Sequence, residues 1–507
     1  MCGIAATYGT DGAIAGGRML TRLSHRGPDD SDHWRIGEDA WLGHTRLSIV
    51  DLDGGRQPLG DPGDWALVCN GEIYNHRGLR DRIGAGAFAT HSDSEAALHL
   101  IRTGGPDALA RLRGMWALCA AGPEGFVAAR DPIGIKPLYW ARRDDGAVFF
   151  ASEIRAFDVA LQPAVRAFPP GCYWTPERGL VRFARAVPEP GDGEAWPDMP
   201  PETAEKATRE VLIDSVRRHL MADVEVGVFL SGGLDSSLVA AVAAREAAAA
   251  GHRLSTFAVG TADSPDLLAA REVAEFLGTR HREAIFDAAD AAAALERVIG
   301  AVESFDPGLI RSSVPNWFLS GLASRHVKVV LTGEGADELF AGYDYYHREH
   351  ADPSALHAEL TRTVEQLHGL NLQRCDRVTM AHSLEARVPF LDAEVIAHAM
   401  ALPPEVKTLG SGPEDGVEKA HLRRAFSGWL PDHLLWRRKS QFGTGSGAQD
   451  VLGPGWESRI GDAEFRAARD VVRPPLRTKE ELGYYRIFRR ALPGVRPEAV
   501  LTRFATP

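Results

Sequence analysis

EVGVFLSGGLDSS, residues 225–237, decides the architecture of the second half of this 507-residue chain. Residues 225–230 (EVGVFL) form an apolar, β-branched run, Ser231-Gly232-Gly233 make a turn, and an Ala-rich helical pattern follows. Glycines at such a turn let backbone N–H groups approach an anion, and the helix N-terminus adds its positive dipole end. No Gly-Lys-Ser/Thr follows, so this is not a Walker A loop, and the absence of G-x-G-x-x-G argues against a hydride-transferring dinucleotide enzyme. Moving outward, residues 254–259 (LSTFAV) read as a second strand, 267–277 as a helix, and 327–331 (VKVVL) as a third strand before another glycine turn. A long amphipathic helix is read over 202–221, ahead of the first strand. This alternation predicts an α/β doubly wound parallel sheet, with a mainly helical C-terminal part.

The first half has a different texture. Short β-runs at 65–69 (WALVC), 116–121 (WALCAA), 125–129 (GFVAA) and 147–151 (AVFFA) are separated by Gly, Asp and Pro. The clearest helix there is 94–102 (SEAALHLIR). The mixture predicts an α+β sheet domain over 1–186. Residues 187–201 (VPEPGDGEAWPDMPP) read as a linker, and 202–507 as the second domain.

Charge excludes some functions. Lys and Arg total 57 against 69 Asp and Glu, a net charge of −12, which is a poor match to a nucleic-acid backbone. No apolar run is long enough to span a membrane, and the N-terminus lacks the basic and apolar regions of a secretory signal, so a cytoplasmic protein is expected. Five cysteines without a C-x-x-C pair argue against disulfides and zinc. Cys69 and Cys119 read as core filling.

Cys2 follows a Met that processing removes before a small side chain. It would then carry a thiol nucleophile and a free α-amine able to act as its own base. Downstream stand Arg46, Leu47, Ser48, Ile49 and Val50 in RLSIVD, Asn70, Gly71 and Glu72 in NGEIYN, and Asp93 in SDSE. This set suits hydrolysis of the glutamine side-chain amide. Arg46 would clamp the α-carboxylate, Glu72 and Asp93 the α-ammonium, and Asn70 with the Gly71 N–H would stabilise the oxyanion. In this order, with HRGPD at 25–29, RDPIGIKPLY at 130–139, ASEIRA at 151–156 and FPPG at 168–171, the residues resemble class II glutamine amidotransferases, which are N-terminal nucleophile hydrolases. The resemblance implies a four-layer αββα sandwich.

In the second half, Thr332-Gly333-Glu334-Gly335-Ala336-Asp337-Glu338 follows the strand at 327–331, opening an acidic turn at the same sheet edge as the first glycine turn. Asp235 and Asp337 could together hold Mg²⁺ on a leaving pyrophosphate, since hard oxygen ligands suit that ion. Glu334 could deprotonate an attacking amine. Lys439, in WRRKSQF, offers a cation for developing phosphate charge. SGGLDSS resembles the pyrophosphate loop of ATP pyrophosphatases. With FAVG, SPDL, IRSSVP, TGEGADELFAGY, EARVPFLD, EKAHLR and RRKSQF, the chain from Cys2 to about residue 487 resembles the glutamine-hydrolysing asparagine synthetases. That resemblance implies ATP contacts at Phe229, Leu230, Ser231, Gly232, Gly233, Asp235, Ser236, Val259, Thr332, Gly333 and Asp337. It also implies an acceptor clamp at Arg311, the substrates glutamine, aspartate and ATP, an ammonia channel between the sites, and a homodimer.

Two segments depart from the family pattern. The run before Arg311 usually resembles ETYDxTTxRAS; here Phe305 lacks a hydroxyl and Gly308-Leu309 replace a threonine pair. FSDG appears as FGTG at 442–445. Amidation of another carboxylate by the same two-site chemistry is therefore the alternative. A non-catalytic sensor would predict loss of Cys2, Asp235, Asp337 or Lys439, and all four are present.

Overall fold

A computed structural model describes residues 2–10, 12–123, 125–188, 200–349, 352–407, 417–438, 446 and 455–504. Alternation of side chains builds the first half. Strands β1 (Cys2–Tyr8), β2 (Asp30–Ile36), β3 (Ala40–Arg46), β8 (Tyr139–Arg142), β9 (Val148–Ala151) and β10 (Arg166–Ala167) form one antiparallel sheet, in the order β10-β8-β9-β1-β3-β2. Strands β4 (Leu59–Gly60), β5 (Ala66–Ile73), β6 (Gly114–Gly122), β7 (Gly125–Arg130), β11 (Cys172–Thr175) and β12 (Gly179–Arg182) form the second, in the order β12-β11-β7-β6-β5-β4. Ile4, Ala6 and Leu42 of the first sheet meet Val68, Ala117 and Cys119 of the second in a shared apolar layer. Their neighbours point the other way: Leu67, Cys69 and Leu118 pack with Leu98 and Ile101 of helix α3 (Glu95–Gly104). Helix α1 (Ala13–Arg22) covers the outer face of β1 and β3, completing an αββα sandwich.

The second half carries five parallel strands: β13 (Val226–Phe229), β14 (Ser255–Gly260), β15 (Arg280–Ile285), β16 (Val329–Leu331) and β17 (Glu385–Arg387). Their order is β15-β14-β13-β16-β17. The chain thus winds outward from β13 in one direction and, after β15, crosses to the other side. Every residue of β14 is buried, which requires cover on both faces. Helices α6 (Pro265–Leu277) and α8 (Pro307–Ala323) both pack on it. Helix α4 (Pro201–His219) replaces the helix read over 202–221, and α5 (Leu234–Ala249) follows the glycine turn. Beyond β16 the described elements are mostly helical. The segment read as a linker lies largely outside the described residues.

Charged side chains from both halves meet in a buried layer. Arg26 donates to Glu153 at 2.8 Å and, through both terminal nitrogens, to Asp376 at 2.9 and 3.1 Å. Arg377 sits 3.6 Å from Glu153 and 3.3 Å from Glu303. All five are buried. Among the described residues no helix is long and apolar enough to cross a membrane.

Candidate active sites

Cys2 is the first residue of β1, paired across the sheet with Arg46 on β3 and only 7% exposed. Its backbone N–H donates to Asn70 Oδ1 at 3.0 Å, a link from the first sheet to β5 of the second. The Asn70 side-chain nitrogen is buried and has no acceptor among the described residues, which leaves it available as a donor next to Cys2. Gly71 has φ +145°, and a Cβ there would lie 1.9 Å from the Met115 carbonyl oxygen, so the strand at Asn70 requires glycine next to it. Burial pushes the Cys2 thiol up, opposed by a hydrogen bond from the Leu47 N–H and by the charge of Arg46.

The remaining residues of this site are drawn together, with unequal freedom. Arg46 donates to the carbonyls of Leu52 (3.0 Å), Val50 (3.3 Å) and Asp51 (2.6 Å), so its guanidinium cinches the loop that begins at Leu47. The Ser48 N–H is held by Asp29 at 2.7 Å, and Leu47 and Ile49 pack on Val329 of β16. Glu72 is buried, with one oxygen 3.3 Å from Arg387 and the other without a hydrogen-bond partner among the described residues. Burial and the nearby Glu385 hold its carboxyl well above the usual range. Asp93 accepts the Ile73 N–H at 2.6 Å, and burial pushes it up to about 6.

The second site lies where the strand order reverses, between β13 and β16. Crevices at the carboxyl ends of such strands are where open α/β sheets bind ligands. A cavity of about 1050 Å³ opens there, lined by Phe229, Leu230, Ser231, Gly233, Asp235, Ser236, Val259, Thr332, Gly333, Glu334 and Asp337. Gly232 lies behind this wall, against α6. The two turns touch: a Cβ on Gly333 would fall 2.8 Å from Asp235 Cβ and 2.9 Å from the Ser236 nitrogen, so glycine is what permits the approach. Ser236 Oγ accepts the Ser231 N–H at 3.1 Å, tightening the first turn.

Between the two acidic turns sits a residue the motif reading did not single out. Lys419 Nζ is 2.6 Å from both Asp235 oxygens and 2.5 Å from Asp337. Burial works against its charge, yet the two carboxylates hold the ammonium well above its ordinary value. The carboxylates therefore converge on one cation, and their hard oxygens fit a divalent ion. Among the described residues no group of three or more His, Cys, Asp or Glu is placed to hold a metal ion on its own. Glu334 pairs with Arg374, and burial pushes its carboxyl up against that partner. Glu338 is pushed up to about 7 by burial and by Asp337.

Arg311 lines the same cavity, but its guanidinium is occupied by a carboxylate of its own chain. It pairs with Glu480, which also accepts the Tyr484 hydroxyl at 2.8 Å. Lys439 and the segment 442–445 lie outside the described residues. The two sites share one residue that sequence reading missed, Arg387 on β17. Its guanidinium contacts Glu385 and Glu72 and donates to the carbonyls of His219 (2.7 Å) and Met221 (2.5 Å). Its own carbonyl accepts the Thr332 N–H at 2.9 Å. The glutamine-side Glu72 and the Thr332 turn are thus one residue apart through the sheet. Both Arg387 and Lys419 lie in segments quoted above for the resemblance, EARVPFLD and EKAHLR, and that was the available signal.

Comparison with known proteins places each half of the chain in a family. A family model described as asparagine synthase matches residues 207–354 and 347–493, and one described as glutamine amidotransferase domain matches residues 1–168. Glutamine-hydrolysing asparagine synthetase 3 of Arabidopsis thaliana is 41% identical over 517 residues, spanning 97% of this chain and 88% of that one. The probable glutamine-hydrolysing asparagine synthetase of Schizosaccharomyces pombe is 40% identical, spanning 96% and 92%. The glutamine-hydrolysing asparagine synthetase of Sandersonia aurantiaca is also 40% identical, spanning 98% and 97%. With a family match to each half and 40% identity along nearly all of its length, the chain belongs to the glutamine-hydrolysing asparagine synthetases.

Proposed function

We propose that this chain makes asparagine from aspartate, glutamine and ATP, with residues 1–186 hydrolysing glutamine and residues 202–507 activating the acceptor. The observation that carries the reading is the joining of a buried cysteine–asparagine pocket to a switch-point cavity through Arg387. After removal of Met1, the Cys2 amine takes the thiol proton and sulfur attacks the glutamine amide carbon. Asn70 Nδ2 and the Gly71 N–H receive the negative oxygen as it forms, while Arg46, Glu72 and Asp93 hold the amino-acid end. The carbon–nitrogen bond breaks, ammonia leaves with a proton from the Cys2 amine, and water releases glutamate from the thioester.

In the second site a β-carboxylate oxygen of aspartate attacks the α-phosphorus of ATP and pyrophosphate departs. The acyl adenylate is needed because AMP is a far better leaving group than hydroxide. Asp235 and Asp337 would hold Mg²⁺, which neutralises charge on the departing pyrophosphate when bound. Ammonia displaces AMP, with Glu334 placed to accept the surplus proton; its raised pKa suits that task. Lys439 would add positive charge at the phosphates. Ammonia in bulk water is mostly ammonium and a poor nucleophile, so a shielded route past β17 is required.

A second reading keeps the chemistry and changes the acceptor. The observation favouring it is Arg311, which holds Glu480 where a substrate carboxylate would otherwise sit. Pyrophosphate release from Mg-ATP with glutamine, measured with and without aspartate and with products read by mass, tests both. Aspartate-dependent pyrophosphate with asparagine and AMP supports the first reading. Glutaminase activity without it moves the acceptor to another carboxylate.

A further inference from the structure

The last described residues of the chain fold back onto the wall of the synthetase cavity. We propose that Phe504 closes the acceptor end of that cavity and sets the length of carboxylate it takes, an inference that rests on the acceptor position proposed above for α8. Phe504 lines the cavity beside Gly308, Arg311 and Ser312, residues on one face of α8. Its backbone is fixed at both ends: the N–H donates to Asp306 Oδ2 at 3.0 Å, and the carbonyl accepts from Arg477 at 2.5 Å. Asp306 is fully buried, caps α8 through the Leu309 N–H at 3.1 Å, and also holds Arg477 at 3.1 Å. The tail is therefore attached to the first turn of the helix that carries Arg311.

Arg503 supplies the second anchor. It pairs with Glu481, donates to the carbonyls of Pro474 (2.7 Å) and Pro475 (3.1 Å), and lies 5.7 Å from the centre of the Phe305 ring. Phe305 and Gly308 are two positions at which the sequence departs from the family pattern, and each is touched by this tail. A Cβ on Gly308 would stand 3.1 Å from Phe504 Cδ2, closer than ordinary contact, so a threonine there would displace the ring. Phe504 occupies the space that the missing side chain leaves. The family model ends at residue 493, so the sequence pattern that identifies the synthetase half does not include this wall.

The test uses the full chain with ammonia as nitrogen donor, which isolates the synthetase half, and measures pyrophosphate release with aspartate and with glutamate, its homologue one methylene longer. Phe504→Ala is expected to raise the aspartate KM and to lower the aspartate-over-glutamate preference by roughly 10-fold, the usual worth of one methylene of fit. KM for ATP and glutaminase activity stay at wild-type values, which shows the variant is folded. Phe504→Tyr retains the wild-type preference. Gly308→Ala shifts the preference by displacing the ring and has no further effect in a Phe504→Ala background. An unchanged preference in Phe504→Ala, with ATP KM and glutaminase intact, overturns the proposal. Wild-type protein without aspartate-dependent pyrophosphate overturns the aspartate reading instead; the same comparison is then made on the carboxylate that does support release and its next longer homologue, with the same criterion.

Discussion

Asn70 offers a sharp separation of chemistry from architecture. Its Oδ1 accepts the Cys2 N–H at 3.0 Å, while its Nδ2, buried and without an acceptor among the described residues, is the donor proposed for the oxyanion. Asn70→Ala removes both functions. Loss of one oxyanion donor costs about 2.7–4 kcal/mol of transition-state stabilisation, or about 10²–10³ in kcat. Leaving the Cys2 N–H unpaired in a buried site adds about 1–3 kcal/mol of folding destabilisation. Asn70→Asp separates the two, because it keeps an acceptor for Cys2 and replaces the donor with a negative oxygen. Glutamate release from glutamine should therefore fall at least as far in Asn70→Asp as in Asn70→Ala, although the urea midpoint of Asn70→Asp stays nearer to wild type. Ammonia-dependent pyrophosphate release should be unchanged in both, since Asn70 is not among the residues that line the second cavity. If Asn70→Asp retains wild-type glutaminase, the donor assignment is wrong and the oxyanion is stabilised elsewhere.

Three further outcomes follow from the same geometry. Lys419→Met removes the buried ammonium that Asp235 and Asp337 share, which should cost about 3–5 kcal/mol in urea unfolding. It should abolish pyrophosphate release and spare glutaminase, with added Mg²⁺ recovering part of the lost stability. Asp93, raised to about 6, is protonated in the folded protein below that pH and ionised above it, whereas in the unfolded chain it ionises near 3.8. Stability therefore falls as pH rises between these two values. Glutamine binding strengthens in the other direction, so kcat/KM for glutamine should climb through about pH 6 and lose that limb in Asp93→Asn. Arg387→Met removes the buried guanidinium that Glu72 and Glu385 share and should cost about 3–5 kcal/mol. It should raise both the glutamine and the ATP KM in one preparation; a defect confined to one site would exclude the bridging role.

Elements whose apolar pattern matches their burial were legible in the sequence. The runs at 225–230 and 254–259 are apolar because β13 and β14 are covered on both faces, and the runs at 65–69 and 116–121 mark β5 and β6. Three of the strands not read from the sequence have surroundings that break the pattern. β15 (RHREAI) is a sheet edge with half-exposed polar residues, and β17 (EAR) buries Glu385 and Arg387 as a pair, so hydropathy reads it as surface. β2 (DSDHWRI) is likewise an edge strand. For the sites, Cys2, Asn70, Gly71, Asp235 and Asp337 were readable because each stands in a short motif whose spacing is its chemistry. Lys419 and Arg387 were not, because each acts across the fold on a carboxylate distant in sequence, Asp235 for Lys419 and Glu72 for Arg387. Arg311 was readable as a cation on the cavity wall but not as one already matched to Glu480.

The charged layer between the two halves bears on how the gene can be organised. Arg26 and Glu153 come from the first half and Asp376, Arg377 and Glu303 from the second, and all five are buried where the halves meet, so joining separate halves would strip water from ions at several kcal/mol each. On one polypeptide the partner half is present at an effective concentration on the order of millimolar, whatever the expression level. Splitting the reading frame at the junction would replace that with a bimolecular encounter between two translation products, each of them scarce. Fission into two cistrons is thus penalised by assembly before catalysis is considered, and a fused frame is the arrangement that this interface favours.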